Sequence, residues 1–133
     1  MRKNVLVCLC LFGALLVACT SALPTGDAVR GRALFNAPVA SLRGDLPACS
    51  RCHAVEARRP SPMGLGTNFH DLGARAGRTV PGKTAADYLY TSIVNPDTFL
   101  AGGYQDGLMS REYEKLLTRQ QIDDLVAYML TLR

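Results

Sequence analysis

Residues 49–53 read Cys49-Ser50-Arg51-Cys52-His53, and this pentapeptide decides what the rest of the chain must fold around. Its spacing, C-x-x-C-H, is the pattern used to attach a c-type haem covalently. Two thiols three positions apart can each add to one vinyl group of a single porphyrin. The imidazole after the second thiol is then carried under the ring, where a nitrogen can bind iron. The motif therefore predicts one covalent haem c, attached through Cys49 and Cys52, with His53 as the proximal iron ligand.

Two other uses of paired thiols remain as alternatives. A structural zinc site takes four ligands, usually from two separated pairs, and the chain has no second C-x-x-C pair. His53, directly after Cys52, could not join the same tetrahedral zinc ion without strain. A redox dithiol of the thioredoxin type is expected beside a βαβ pattern, which the sequence lacks. Haem attachment is the interpretation favoured over both.

The first 18 residues have the composition of a secretory signal. Arg2 and Lys3 precede an apolar stretch, residues 5–18, that ends on the small residue Ala18. This stretch is shorter than the about 20 residues that a helix needs to cross a bilayer. A cleaved signal is therefore favoured over a permanent signal anchor, which stays open.

The end of this stretch, Leu16-Val17-Ala18-Cys19, resembles the lipobox of bacterial lipoprotein signals. By that resemblance Cys19 becomes the first residue of the mature protein and carries acyl chains, in which each buried CH₂ contributes about 0.8 kcal/mol. Residues 19–26 would then be the lipidated cysteine and a short polar tether, about 25 Å long at most. This predicts a lipid anchor in the cell membrane, with the protein on its periplasmic or extracytoplasmic face.

These interpretations account for all five cysteines. Cys8 and Cys10 leave with the signal, Cys19 is lipidated, and Cys49 and Cys52 hold the haem. None remains for a disulfide, although an oxidising compartment would allow one. The absence of a remainder supports the combined interpretation.

Net charge gives no case for a nucleic-acid partner. The 133 residues carry a formal charge of +4, which falls to +2 when the signal removes two basic residues and no acidic one. No basic run alternates with aromatic residues. Arg51, Arg58 and Arg59 flank the haem motif and could steer an acidic redox partner toward it. An ordinary solvated basic patch accounts for them equally well.

Hydrophobic periodicity and capping signals predict an all-α fold with three main helices. The first covers about residues 27–36 and stops before a proline. A middle helix begins at Thr84 and ends at the Asn-Pro pair of residues 95–96. The last begins at Thr118, where Gln121 completes a capping-box pattern before a series of apolar residues at helical spacing. Nothing predicts a substantial strand.

The order helix, C-x-x-C-H, loop, helix, glycine-rich loop, helix resembles that of the class I cytochromes c, over residues 27–133. In that family a Gly-x-x-x-aromatic pair on the first helix crosses a Leu-x-x-Tyr pair on the last. Gly31, Phe35, Leu125 and Tyr128 match these two pairs. Since glycine within a helix costs about 1 kcal/mol relative to alanine, Gly31 also indicates close approach by another element. The resemblance implies the small class I fold, built around one covalently bound haem.

The resemblance also implies a sixth iron ligand, and Met109 stands where the family places its axial methionine. This residue follows His53 by 56 positions, in a glycine-rich loop just before the last helix. Methionine and histidine together raise the reduction potential of haem iron. A site closed in this way favours electron transfer over the binding or activation of oxygen.

Three other side chains compete for that position. Met63 lies ten positions after the histidine of the motif, in a Pro/Gly-rich stretch, and Met129 fits the apolar stripe of the last helix. His70 is the stronger competitor, because imidazole binds haem iron well. It directly follows residues 66–69, however, which align with a Gly-Pro-x-Leu segment on the proximal side in the family. Met109 is ranked first and His70 stays open.

Two positions depart from the family pattern. Thr67 stands in the Gly-Pro segment where proline is usual, at the residue whose carbonyl normally accepts a hydrogen bond from the proximal histidine. The Thr67 carbonyl can still do so, but no ring fixes its φ angle. Met109 is followed by Ser110 instead of proline. We expect both changes to loosen the scaffold around the iron.

These features predict a monohaem cytochrome that passes single electrons in a respiratory or photosynthetic chain and is not an enzyme. The expected partners are a quinol-oxidising complex and a terminal oxidase or another acceptor protein. Residues 75–82 and the tyrosine-rich helix after them resemble monohaem subunits of respiratory assemblies such as alternative complex III. A fixed subunit and a diffusing carrier both stay open. The alternative function is a ligand-binding haem protein, a gas sensor or small peroxidase with an open distal iron site.

Overall fold

The computed structural model describes residues 25–40 and 45–133, and the predicted signal and lipidation site Cys19 lie outside them. Over this part of the chain the fold is all-α, as predicted. Its five helices are α1 (Ala28–Phe35), α2 (Leu72–Thr79), α3 (Ala85–Val94), α4 (Tyr113–Leu116) and α5 (Arg119–Thr131). Three short 3₁₀ segments cover Cys49–Arg51, Pro62–Gly64 and Pro96–Phe99. No helix in these ranges is both long enough and apolar enough to cross a membrane.

Helices α1 and α5 cross so closely that their backbones are in contact. α1 begins after Asp27, whose carboxylate accepts hydrogen bonds from the backbone N–H groups of Val29 and Arg30 at 2.8 and 3.0 Å. One turn on, Gly31 lies directly against α5. A Cβ atom built at Gly31 would lie 1.9 Å from the carbonyl oxygen of Asp124. The two helices can therefore meet in this way only because residue 31 has no side chain.

Aromatic packing stabilises the same crossing. The Phe35 side chain is almost fully buried, and its ring meets that of Tyr128 edge-on with the centroids 5.4 Å apart. Such a ring pair adds about 0.5–1.5 kcal/mol beyond the burial of its area. Leu125 is buried in the same core cluster. The structure thus brings together the four residues that the sequence placed at the helix crossing.

A buried carboxylate also ties α1 to α5. The side chain of Asp124 accepts hydrogen bonds from the backbone N–H of Asp27 at 2.7 Å and from Nε and Nη2 of Arg30 at 2.8 and 3.0 Å. Gln120 donates a further bond at 3.0 Å. The hydrogen bonding from Arg30 is the largest cause that holds the pKa of the Asp124 carboxyl well below its usual range.

Both remaining predicted helices begin with the caps that the sequence indicated. Thr84 accepts a bond from the backbone N–H of Asp87 at 3.1 Å and starts α3. At α5, Thr118 accepts from the N–H of Gln121 at 3.2 Å, and the Gln121 side chain accepts from the N–H of Thr118 at 2.8 Å. The apolar residues of α5 that face the core are Ile122, Leu125, Val126 and Met129.

The three predicted main helices are present, and the structure adds α2 and α4, which carry weak local signals. α2 contains two glycines and a threonine, which are poor helix formers, and its N-cap Asp71 makes no side-chain capping bond. Its apolar face consists of Leu72 and Ala76, both almost fully buried against the rest of the core. Packing against α3 and α5 therefore stabilises a helix that its own sequence does not favour. α4 is one turn long, too short for a periodic pattern.

Candidate functional site

A large cavity lies between the helices and the loops on either side of them. It encloses about 600 Å³, within the range of about 300–1,000 Å³ that is typical of cofactor pockets. Most of its wall is apolar, with contributions from α1, α2, α3 and α5 that include Phe35, Leu72, Leu89, Leu125 and Met129. The predicted haem-binding residues Cys49, Cys52, His53 and Met109 line the same cavity.

One turn of 3₁₀ helix presents the C-x-x-C-H motif to this cavity. The backbone N–H groups of Cys52 and His53 both donate to the carbonyl of Cys49, at 3.1 and 2.9 Å. Residues three positions apart lie above one another in 3₁₀ geometry. Both thiols therefore reach one cavity, with the imidazole beside them.

The Cys49 thiol lacks the low pKa that a redox dithiol requires of its reactive cysteine. Burial raises the pKa of Cys49 to about 11, so this thiol stays protonated at neutral pH. Catalytic dithiols instead depend on a cysteine whose pKa is lowered. In residues 25–40 and 45–133, moreover, no three histidine, cysteine, aspartate or glutamate side chains gather in a group suited to a metal ion. Neither the dithiol nor the zinc alternative gains support from the geometry.

Two contacts orient the His53 ring. Its Nδ1 lies 2.9 Å from the carbonyl oxygen of Thr67. Because a carbonyl oxygen only accepts, Nδ1 carries the proton and Nε2 keeps its lone pair. The ring also stacks on that of Phe69, with the centroids 4.2 Å apart. Burial lowers the pKa of His53, which favours the neutral imidazole that binds metals.

Gly66 allows the backbone to pass directly beside this imidazole. A Cβ atom built at Gly66 would lie 2.6 Å from Cε1 of His53 and 2.7 Å from the carbonyl oxygen of Cys52. The backbone of residues 66–67 thus touches the ring at Gly66 and accepts its hydrogen bond at Thr67. Thr67, which stands where the resemblance led us to expect proline, still provides this carbonyl acceptor.

Met109 reaches the cavity from the methionine loop, defined here as residues 100–112, between the 3₁₀ segment Pro96–Phe99 and α4. Its side chain is half-buried and lines the cavity. The carboxylate of Asp97 accepts hydrogen bonds from the backbone N–H of Gly107 at 2.8 Å and from Nε of Arg111. Residues two positions before and two positions after Met109 are therefore bound to one side chain.

The rival candidates for the sixth ligand are placed differently. Met63 is 66% exposed and His70 is exposed, and neither lines the cavity. Met129 does line it, but this residue belongs to the buried face of α5. Met109 is thus the methionine that a loop, rather than a core helix, brings to the cavity, and its role as a ligand stays a prediction.

Two tyrosines of the cavity wall were missed by the sequence reasoning. The hydroxyl of Tyr104 donates to the carbonyl of Gly66, and that of Tyr113 to the carbonyl of Pro47, each at 2.9 Å. These bonds join residues 38 and 66 positions apart in the chain. No local pattern could have identified them. Burial also raises the pKa of Tyr113 to about 12.

The residues of this cavity fit a haem. Its apolar wall suits the faces of a porphyrin, Cys49 and Cys52 supply the two thiols, and His53 presents an unprotonated Nε2. Arg75 is the basic side chain among the described residues that line the cavity, and its Nη2 donates to the carbonyl of Asn68 at 2.7 Å. Its charge suits the carboxylates that a haem carries.

Comparison with known proteins agrees with the geometry. A family model described as Cytochrome c matches residues 28–133, a range that contains every residue of the cavity wall. No curated protein matches the chain.

Proposed function

The chain belongs to the cytochrome c family, and from that premise we propose that it is a membrane-anchored monohaem cytochrome whose iron is held by His53 and Met109. Membership of this family implies one covalent haem c and electron transfer between redox partners, without bond-making catalysis. A haem bound through Cys49, Cys52 and His53 would supply one-electron chemistry, because its iron can be ferrous or ferric. The ligand set, the membrane attachment and the partners are what the proposal adds.

The cavity wall is the observation that supports the ligand set. Cys49, Cys52 and His53 share that wall with Met109, although 56 positions separate the histidine from the methionine. His53 can offer Nε2 because its Nδ1–H is bound to the Thr67 carbonyl. The thioether of Met109 would occupy the distal position and favour the reduced state. Electron transfer fits such a closed site better than ligand binding does.

Optical spectroscopy of the holoprotein tests the ligand set. We expect a methionine-to-iron charge-transfer band in the oxidised protein, which Met109→Ala abolishes. Met129→Leu, which conserves volume at the other methionine of the wall, should leave the band in place, as should Met63→Leu at an exposed position. A wild-type protein without the band, whose reduced form binds carbon monoxide while still folded, would instead be a ligand-binding haem protein.

The membrane attachment is supported by the sequence Leu16-Val17-Ala18-Cys19. The folded domain begins close after it, since a Cβ atom at Gly26 would lie 2.0 Å from a backbone oxygen of α5. We expect the protein in cells to incorporate labelled fatty acid and to sediment with membranes. Cys19→Ser should abolish the label, and Cys10→Ser within the predicted signal should not. Label retained in the Cys19→Ser variant would contradict lipidation at this residue.

We further propose that the protein works as a subunit of a quinol-oxidising complex on the periplasmic or extracytoplasmic face. The few residues between Cys19 and the domain agree with a position near the membrane, and the resemblance of residues 75–82 to monohaem subunits of respiratory assemblies supports a fixed subunit. Native electrophoresis of mildly solubilised membranes, stained for haem, tests this. Haem should migrate with quinol-oxidising subunits identified by mass spectrometry. Haem found only at the size of the single chain would indicate a diffusing carrier.

A further inference from the structure

We propose that Asp97 is a positioning residue for the sixth iron ligand, because it fastens the methionine loop on both sides of Met109. The inference rests on the ligand set proposed above. The pattern of the family leads us to expect a proline directly after the methionine, whose ring would restrict the backbone, and this chain has Ser110 there. No proline ring restrains the backbone at this point in this chain, and the two bonds to Asp97 restrain it instead.

The two oxygens of the carboxylate hold different parts of the loop. Oδ1 of Asp97 accepts the backbone N–H of Gly107 at 2.8 Å, and Oδ2 accepts Nε of Arg111. Gly107 adopts a φ angle of +74°, which a side chain would disfavour, so the chain turns sharply where the first bond is made. Gly107 and Arg111, which lie two positions before and after Met109, are thereby both bound to the Asp97 carboxylate.

Asp97 is itself held in place by a well-packed helix of the fold, α3. Asp97 lies in the 3₁₀ segment Pro96–Phe99, which follows α3 almost directly. The segment is closed by a hydrogen bond from the N–H of Thr98 to the carbonyl of Asn95 at 3.1 Å, and α3 buries Leu89 and Ile93 in the core. Asp97 itself is 16% exposed on its side chain. A well-packed helix thus determines where the carboxylate stands.

A general role in stability explains these bonds less well than positioning does. The Arg111 side chain is 65% exposed, and ion pairs with an exposed partner contribute little to the stability of a fold. Leu108, directly before Met109, is 47% exposed, so packing of this residue adds little restraint. The hydrogen bonds to Asp97 restrain the backbone on both sides of the methionine.

The test compares Asp97→Ala with Asp124→Asn in the holoprotein. Asp124 also accepts bonds from a backbone N–H and an arginine, but it joins α1 to α5 and does not line the cavity. Asp97→Ala should weaken the methionine-to-iron band and raise the rate of carbon monoxide binding to the reduced protein at least tenfold. Asp124→Asn should lower the urea midpoint and leave the band and that rate unchanged. Equal spectral changes in both variants, or none in Asp97→Ala, would overturn the proposal.

Two further variants make the result specific. Asp97→Asn keeps one oxygen that can accept from Gly107, so it should retain more of the band than Asp97→Ala, even if the alanine variant folds poorly. An asparagine variant with no more of the band than the alanine variant would contradict the role of this bond. Met109→Ala separates this proposal from the proposed function. Loss of the band in Met109→Ala together with a normal band in Asp97→Ala refutes only the positioning role, whereas a band that survives Met109→Ala refutes the ligand set itself.

Discussion

The hydroxyl of Tyr104 donates a hydrogen bond to the carbonyl oxygen of Gly66 at 2.9 Å and so joins the methionine loop to the segment that supports His53. The same segment accepts the His53 hydrogen bond through the next carbonyl, that of Thr67. One side chain thus links the part of the chain carrying the proposed sixth ligand to the support of the proximal one. The link involves neither Thr67 nor Ser110, the two positions where the resemblance led us to expect proline.

Removal of the Tyr104 hydroxyl should destabilise the protein without creating a cavity. Tyr104→Phe keeps the ring and deletes one hydrogen bond, which is worth about 0.5–1.5 kcal/mol. We expect a loss of free energy of unfolding in that range, measured on the holoprotein by urea denaturation followed by circular dichroism. An unchanged midpoint would mean that water replaces the bond at no cost.

Addition of a single methyl group at Gly66 should disturb the proximal side. The new Cβ atom of Gly66→Ala would lie 2.6 Å from the His53 ring, and overpacking of this kind costs about 1–3 kcal/mol. We expect a lower urea midpoint and a shifted reduction potential, because the imidazole must move. Gly102→Ala is the matched control, since its Cβ would meet nothing within 4 Å, and it should change neither quantity. A similar response from both variants would refute the contact.

The crossing of α1 and α5 should tolerate an added methyl group even less than the proximal side does. In Gly31→Ala the new Cβ atom would lie 1.9 Å from a backbone oxygen of Asp124, which no side-chain rotation can relieve. The helices would have to separate, at a cost of about 3 kcal/mol or more, which exceeds the gain of about 1 kcal/mol in helix propensity. Thermal unfolding would measure the loss. Arg32→Ala, at the next and exposed position, should change stability by less than about 0.5 kcal/mol.

Asp124 should make the protein sensitive to acid. Its folded pKa lies below the value of about 3.9 for an unfolded aspartate, so the unfolded chain takes up the proton first as the pH falls. The stabilisation is complete above the unfolded pKa and is lost as the pH drops through the folded one. Urea titrations at pH 7 and pH 3 should show a smaller difference in Asp124→Asn than in the wild type. An equal difference in both proteins would assign the acid sensitivity to other groups.

The sequence alone determined the parts of this protein that depend on neighbours in the chain. The C-x-x-C-H motif places two thiols and an imidazole within five residues, and one 3₁₀ turn is enough to direct them to the same cavity. The caps at Thr84 and Thr118 act over three residues, so their patterns identified where two helices begin. The pairing of Gly31 with the last helix came from the resemblance to a known family.

Tertiary structure alone decided the contacts that join distant segments. α2 is helical because burial of Leu72 and Ala76 outweighs its weak propensity, and burial cannot be read from eight residues. The bond from Tyr104 to Gly66 spans 38 positions, and the bond from Arg111 to Asp97 spans 14. A tyrosine or an aspartate in a loop has no local requirement that marks its partner. Only the folded backbone brings such groups within hydrogen-bonding distance, and here it does so around the site that the motif had identified.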